Sequence, residues 1–322
     1  MIETTTGKDG STTRTETKPD GSSVTERKGA NGSTGTAKTD KDGNTRADAK
    51  LSDKAVEDAK KSGEAVKVPA EVKAGERSNS APTVDIDLPK GAGETEIEIP
   101  VDDVTPGTVA VIVHPDGTEE IVKDSVVTEN GVRLIVDGGA TVKILDNTQR
   151  FIDTENHWAE DYIDFVSARG LLSGTGKNIF FPDSSTTRAQ MWTVLARRAG
   201  TDPTGGATWY EKGQQWAVGN GISDGTSPDS SITRAQMVTM LWRAAGSPET
   251  QSASSFTDVP ADSYYALAAA VSTPIPPAPG HRSPCSCGPW RRSNTTDITY
   301  PRAAHRPPGI FSGAENEQIE KC

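Results

Sequence analysis

Cysteine is nearly absent from this chain: Cys285, Cys287 and Cys322 are the only three in 322 residues, and all fall at the C-terminal end. The main body therefore carries no disulfide framework and no thiolate metal site. No apolar run approaches the ~18 residues of a membrane span. The start, Met1-Ile2-Glu3-Thr4, lacks the basic opening and apolar core of a signal peptide. If the protein is exported, residue 1 is not the start of the full gene product, and the chain reads as a fragment. Positive charge is also scarce. A net charge of −11 and a pI near 5.0 argue against a nucleic-acid partner, because phosphate binding needs a basic face. Apolar residues make up only 33%, low even with glycine added against the usual ~45–50%. Part of the chain is thus expected to be unfolded or fibrous. There is no nucleophile–base pair, no metal-spaced histidine set and no P-loop, so no catalytic residue, metal site or cofactor is expected. Asp153, Glu155 and His157 gather beside Trp158, but acidic residues at a helix start are ordinary N-terminal chemistry.

Residues 1–50 form a threonine-rich tract with Asx-Gly pairs at Asp9-Gly10, Asp20-Gly21, Asn31-Gly32 and Asp42-Gly43, spaced by eleven residues. Such pairs are strong hairpin signals. The segments between them hold almost nothing apolar to offset ordering entropy. The tract is either a weak β-meander or a disordered stalk, and the composition favours the stalk. Residues 51–82 read as one short helix, Leu51 to Lys61 with Ser52 as N-cap, and a linker. Residues 83–149 alternate at period two, as in Val84-Ile86-Leu88 and Ile97-Ile99-Val101, and include the unbroken run Val109-Ala110-Val111-Ile112-Val113. Six or seven strands make a small antiparallel sandwich or barrel-like module. His114, before a Pro-Asp-Gly turn, reads as an exposed loop residue.

The rest repeats. Thr187-Arg188-Ala189-Gln190-Met191 recurs as Thr233-Arg234-Ala235-Gln236-Met237. Each copy follows a glycine pair, Gly170 with Gly174 and Gly221 with Gly225, and an earlier tryptophan, Trp158 and Trp209. Stacked supersecondary units leave this signature. The copies are residues 150–200 and 201–249, and a third begins at 256–272, with Phe256-Thr257-Asp258 matching Phe151-Ile152-Asp153. Beyond it, residues 273–322 hold 9 of the 21 prolines and no second motif, as an out-of-frame or disordered tail would. Each complete copy reads as two helices. Gly170 and Gly221 suit the left-handed position that ends the first. The motif opens the second, where Thr187 with Gln190, and Thr233 with Gln236, form capping boxes. The fold class is thus multidomain: a low-complexity tract, an all-β module, all-α repeats and an irregular tail.

Capping explains threonine and glutamine, and the i, i+3, i+4 stripe of Met191, Val194 and Leu195 explains the methionine. Arginine is different. Arg188 and Arg234 stand in a first helical turn, where the macrodipole disfavours a cation by ~0.3–1 kcal/mol. Two readings stay open: an internal salt bridge, for instance to Asp153, Asp183 or Asp229, or an anion site made with the free helix N–H groups. Trp158 and Trp209 divide likewise between core packing and a sugar-stacking platform.

The order Phe-x-Asp, Trp, Gly-x-x-x-Gly-Thr, Phe-x-Pro, Thr-Arg-Ala-Gln resembles the S-layer homology (SLH) domain over residues 151–272, and residues 83–149 resemble, more weakly, a β module that precedes SLH repeats in some clostridial surface proteins of Gram-positive type. The resemblance implies a secreted, cell-wall or S-layer protein, anchored without a covalent bond through an anionic secondary cell-wall polymer, often pyruvylated. It assigns Arg188 and Arg234 to the acidic group, Trp158 and Trp209 to sugar, and Gly174 and Gly225 to close ligand approach. Gln190 and Gln236 stand where the family more often has glutamate. The third copy lacks its arginine. Self-assembly as a structural S-layer or stalk subunit, or service as the remnant anchor of a wall-acting enzyme, are the alternatives.

Overall fold

The structure is a computed structural model and describes residues 1–76, 79–249 and 256–271. The proline-rich tail at 273–322 lies outside the described residues. The chain divides into two compact units, residues 1–184 and the residues from Ser185 onward.

The first unit opens with a five-stranded antiparallel meander: β1 Ile2–Thr6, β2 Thr12–Thr17, β3 Ser23–Lys28, β4 Thr34–Thr39 and β5 Thr45–Lys50. The expectation of a disordered stalk is corrected here. Each connection turns on the glycine of an Asx-Gly pair, with φ of +85° to +89° at Gly10, Gly21, Gly32 and Gly43. Only a residue without Cβ adopts that conformation freely. The apolar burial that the tract lacks is supplied from outside it. β5 pairs in parallel with β8, Thr83–Asp87, setting Ala47 opposite Val84 and Ala49 opposite Ile86. Ala47, Ala49 and Leu51 are thereby buried in the main core.

Helix α1, Asp53–Ser62, follows, with Ala55 and Val56 buried in the same core. The Ser52 hydroxyl caps it by accepting from Ala55 N, and Gly63 ends it in the left-handed region. The Ser52 hydroxyl also donates to the Asn31 carbonyl at 2.6 Å, tying the cap to the meander. The segment read as a linker contributes β6, Val66–Lys67, and β7, Val72–Lys73, each pairing in parallel with β9, Glu94–Asp102.

Five more strands follow: β10 Thr108–Val113, β11 Glu119–Ile121, β12 Val126–Thr128, β13 Gly131–Asp137 and β14 Ala140–Asp146. One sheet runs β1-β2-β3-β4-β5-β8-β14-β10-β11. The other runs β12-β13-β9-β6, with β7 also on β9. The two inner faces meet over Val84, Ile86, Ile97, Ile99, Leu134 and Ile144. The β module is therefore not a separate sandwich, because its larger sheet is continuous with the meander. Strand β10 departs from simple alternation because both its faces are covered. Ala110 joins the inter-sheet core, while Val109 and Val111 pack outward against Ala168 of helix α2, Glu160–Ala168. A strand buried on both sides reads as an unbroken apolar run.

The second unit contains α3 Arg188–Arg198, α4 Glu211–Gly219, α5 Arg234–Ala244 and α6 Ala266–Val271. Helix α3 packs on α4, and α5 on α6. Trp192, Leu195, Ala217, Ile222 and Met240 form its core, with Met237 and Leu241 packed against it. The repeat region is not purely helical, since β-bridges join Gly176 to Ile179 and Thr187 to Ser231.

Candidate functional site

Both capping boxes form. Thr187 accepts from Gln190 N while Gln190 accepts from Thr187 N, and Thr233 and Gln236 do the same. Beyond that shared cap the two motif copies differ.

At α3 the Arg188 Nε, one of its Nη groups and the first two helix amides are already engaged by the chain. Arg188 is buried. Its Nε donates to the Thr226 carbonyl at 2.8 Å and one Nη to the Ser223 hydroxyl at 3.2 Å. The same nitrogen forms an ion pair with Asp224. Asp153, Asp183 and Asp229, the acids suggested by sequence, are not the partners. The N–H of Thr226 chiefly holds the Asp224 carboxyl below the usual carboxylate range; burial opposes this, and Arg188 adds to it. The free helix amides are filled too: Arg188 N donates to the Ser230 carbonyl and Ala189 N to that of Pro228, both at 3.0 Å.

At α5 the same groups are open. Arg234 is exposed, and neither its guanidinium nor the N–H groups of Arg234 and Ala235 have a hydrogen-bond partner among the described residues. A cation with two aligned amide donors is suited to a carboxylate or a similar anion.

The aromatic positions are displayed rather than packed away. Trp158 is 46% exposed, Trp209 58% and Tyr264 62%. Of the two readings open for the tryptophans, core packing does not fit this exposure. Trp158 lies against the His157 ring at 5.4 Å, and Trp209 meets Tyr210 edge-on at 5.3 Å. His157 Nδ1 accepts from Ala159 N, so its Nε2 carries the proton and donates to Asp183 at 3.3 Å. The Asp153 carboxylate accepts from the N–H groups of Phe180 and Phe181. Burial works against its charge, yet these two donors hold its carboxyl low. Phe181 is 54% exposed and sits at φ +61°; Ser227, its counterpart, has φ +53°.

Gly174 and Gly225 are needed for contacts within the chain. A Cβ on Gly174 would fall 2.6 Å from the Ile179 carbonyl oxygen and 2.8 Å from the Phe151 ring; one on Gly225 would fall 2.6 Å from Val218 Cγ2. Both also take positive φ. At both glycines the protein closely approaches itself. By unit, Trp158 and Gly174 belong to the first, and Arg188, Trp209, Gly225 and Arg234 to the second.

Sequence reasoning missed Ser223, Asp224 and the carbonyls at Pro228 and Ser230. A signal existed: the repetition reaches back past the motif, through Pro182-Asp183-Ser184-Ser185 and Pro228-Asp229-Ser230-Ser231. Capping alone does not explain that extension.

The family model of the S-layer homology domain matches residues 150–191. No curated protein and no solved structure matches the chain significantly. S-layer homology domains are cell-surface modules, generally implicated in anchoring to cell-wall polymers. Among the described residues, no helix is long and apolar enough to cross a membrane.

Proposed function

We propose that this chain is a non-covalent anchor that holds a surface protein to an anionic, and in one form pyruvylated, secondary cell-wall polymer. On this reading residues 201–249 are a second S-layer homology repeat and 256–272 the start of a third. The observation that carries it is the S-layer homology match at 150–191, on a segment whose helix-leading aromatic stands in solvent and whose counterparts at Trp209 and Tyr264 do the same. An exposed ring offers a flat apolar face to a sugar. Arg234 supplies the charge, because among the described residues its guanidinium and helix amides have no partner, where Arg188 is held by Thr226, Ser223 and Asp224. The chain acts by binding, not by catalysis.

Co-sedimentation with purified cell walls, before and after removal of the secondary polymer, tests the reading. Pelleting that depends on the polymer is expected. Equal pelleting with stripped walls, or none with either, would overturn it.

A further inference from the structure

The sequence repeats and the packed helix pairs are out of phase. In the second unit the first helix of one copy packs on the second helix of the copy before it: α4 on α3, and α6 on α5. Helix α2 opens the first copy and has no such predecessor, and it packs on strand β10. Its side chains differ from those of α4 accordingly. Where α4 has Gly213, whose Cβ would stand 3.0 Å from the Thr193 backbone of α3, α2 has the buried Tyr162. Where α4 is followed by Asn220, α2 is followed by Arg169, 1% exposed.

We infer that the β module stands in for the missing preceding helix, and that Arg169 is the positioning residue that latches α2 to it. The Arg169 Nε donates to the Ser125 carbonyl at 2.8 Å. One Nη donates to the Thr108 carbonyl at 3.1 Å, and the other to Pro106 at 3.3 Å and Phe165 at 3.0 Å. Its guanidinium carbon lies 3.6 Å from the centre of the Phe165 ring. These contacts join the end of α2 to the strand starts at 106–108 and the turn at 125. Asn147 adds a second tie, donating from Nδ2 to the Ala168 carbonyl at 2.6 Å. Burial pushes Arg169 down to about 9, with Asp124 opposing, so it remains charged at neutral pH. A charge this deeply buried persists only where its donors are used, and four carbonyls use them. If the exposed Trp158 binds sugar as proposed above, the latch also sets the angle of that ring, because Trp158 immediately precedes the α2 N-cap, Ala159.

Amide hydrogen exchange of the full chain tests the latch without any ligand, so its outcome is separate from that of wall binding. In Arg169→Met the hydrocarbon stem remains and the donors are lost. Exchange at residues 163–168 should accelerate at least tenfold, while β9, β13 and α3 keep their protection. Tyr162→Ala should loosen the same residues. Unchanged α2 protection in both variants would overturn the inference. So would β9 and β13 losing protection in step with α2, because Arg169 would then belong to the general core.

Discussion

The Arg188 guanidinium and the Asp224 carboxylate form an ion pair that reaches from the start of one motif copy into the glycine loop of the next. Asp224 is largely exposed and Arg188 is not. Removing the arginine therefore costs more than removing the acid. Arg188→Met should destabilise the second unit by ~2–3 kcal/mol, since several charge-assisted hydrogen bonds vanish together. Asp224→Asn should cost only about 1 kcal/mol, as befits a pair half in water. Urea unfolding followed by tryptophan fluorescence measures both. The native Asp224 carboxyl lies below its ordinary value, so the clasp's contribution is present above about pH 4 and is lost as pH falls through the folded value.

Binding should divide the two arginines the other way. Arg234→Ala is expected to weaken association with purified polymer about 10- to 100-fold, the loss of one charged hydrogen-bonding group of ~1.5–3 kcal/mol, with little change in stability. Trp209→Ala should also weaken binding without unfolding the protein. Titration calorimetry alongside thermal melts separates the effects.

Gly213 brings α4 against α3. A Cβ at this position would sit 3.0 to 3.1 Å from the Thr193 backbone and hydroxyl, so Gly213→Val should force the helices apart. Overpacking of this kind costs ~1–3 kcal/mol, and it should appear as a lowered Tm.

Asp164, half-buried on α2, is pushed up to about 6. Desolvation is the main cause; Glu160, Asp161 and Asp146 add to it, and Arg150 opposes. The folded state thus holds this proton more tightly than the unfolded chain, whose value is near 3.9. Stability of the first unit should fall as pH rises from about 4 to 6, by on the order of 1 kcal/mol after solvent screening. Asp164→Asn should flatten the profile across that window, as measured by denaturant midpoints at each pH.

The meander depends on a close approach between Gly35 and the segment after α1. A Cβ at Gly35 would lie 2.0 Å from the Pro69 carbonyl oxygen. Gly35→Ala should therefore loosen β4 from that segment and speed limited proteolysis within residues 1–50, while the helical unit remains resistant.

Short-range features were legible in the sequence. The Asx-Gly turns, the Ser52 cap, both capping boxes and the left-handed Gly170 and Gly221 each depend on backbone geometry and on groups at most four residues apart. Such groups meet wherever the chain adopts that local conformation. The unbroken run Val109–Val113 announced a strand with two apolar faces, but not that α2 would cover one of them. Only the tertiary structure decided that the threonine-rich tract is ordered, because β5 pairs with β8 and so brings Ala47 and Ala49 into the main core. It also decided which helices pair and which acid Arg188 meets, 36 residues away. Motif copies identical in sequence thus differ in state. At α3 the following copy supplies a carboxylate, a hydroxyl and three carbonyls; at α5 no described residue does so. What an arginine binds depends on which acceptors the fold carries to it.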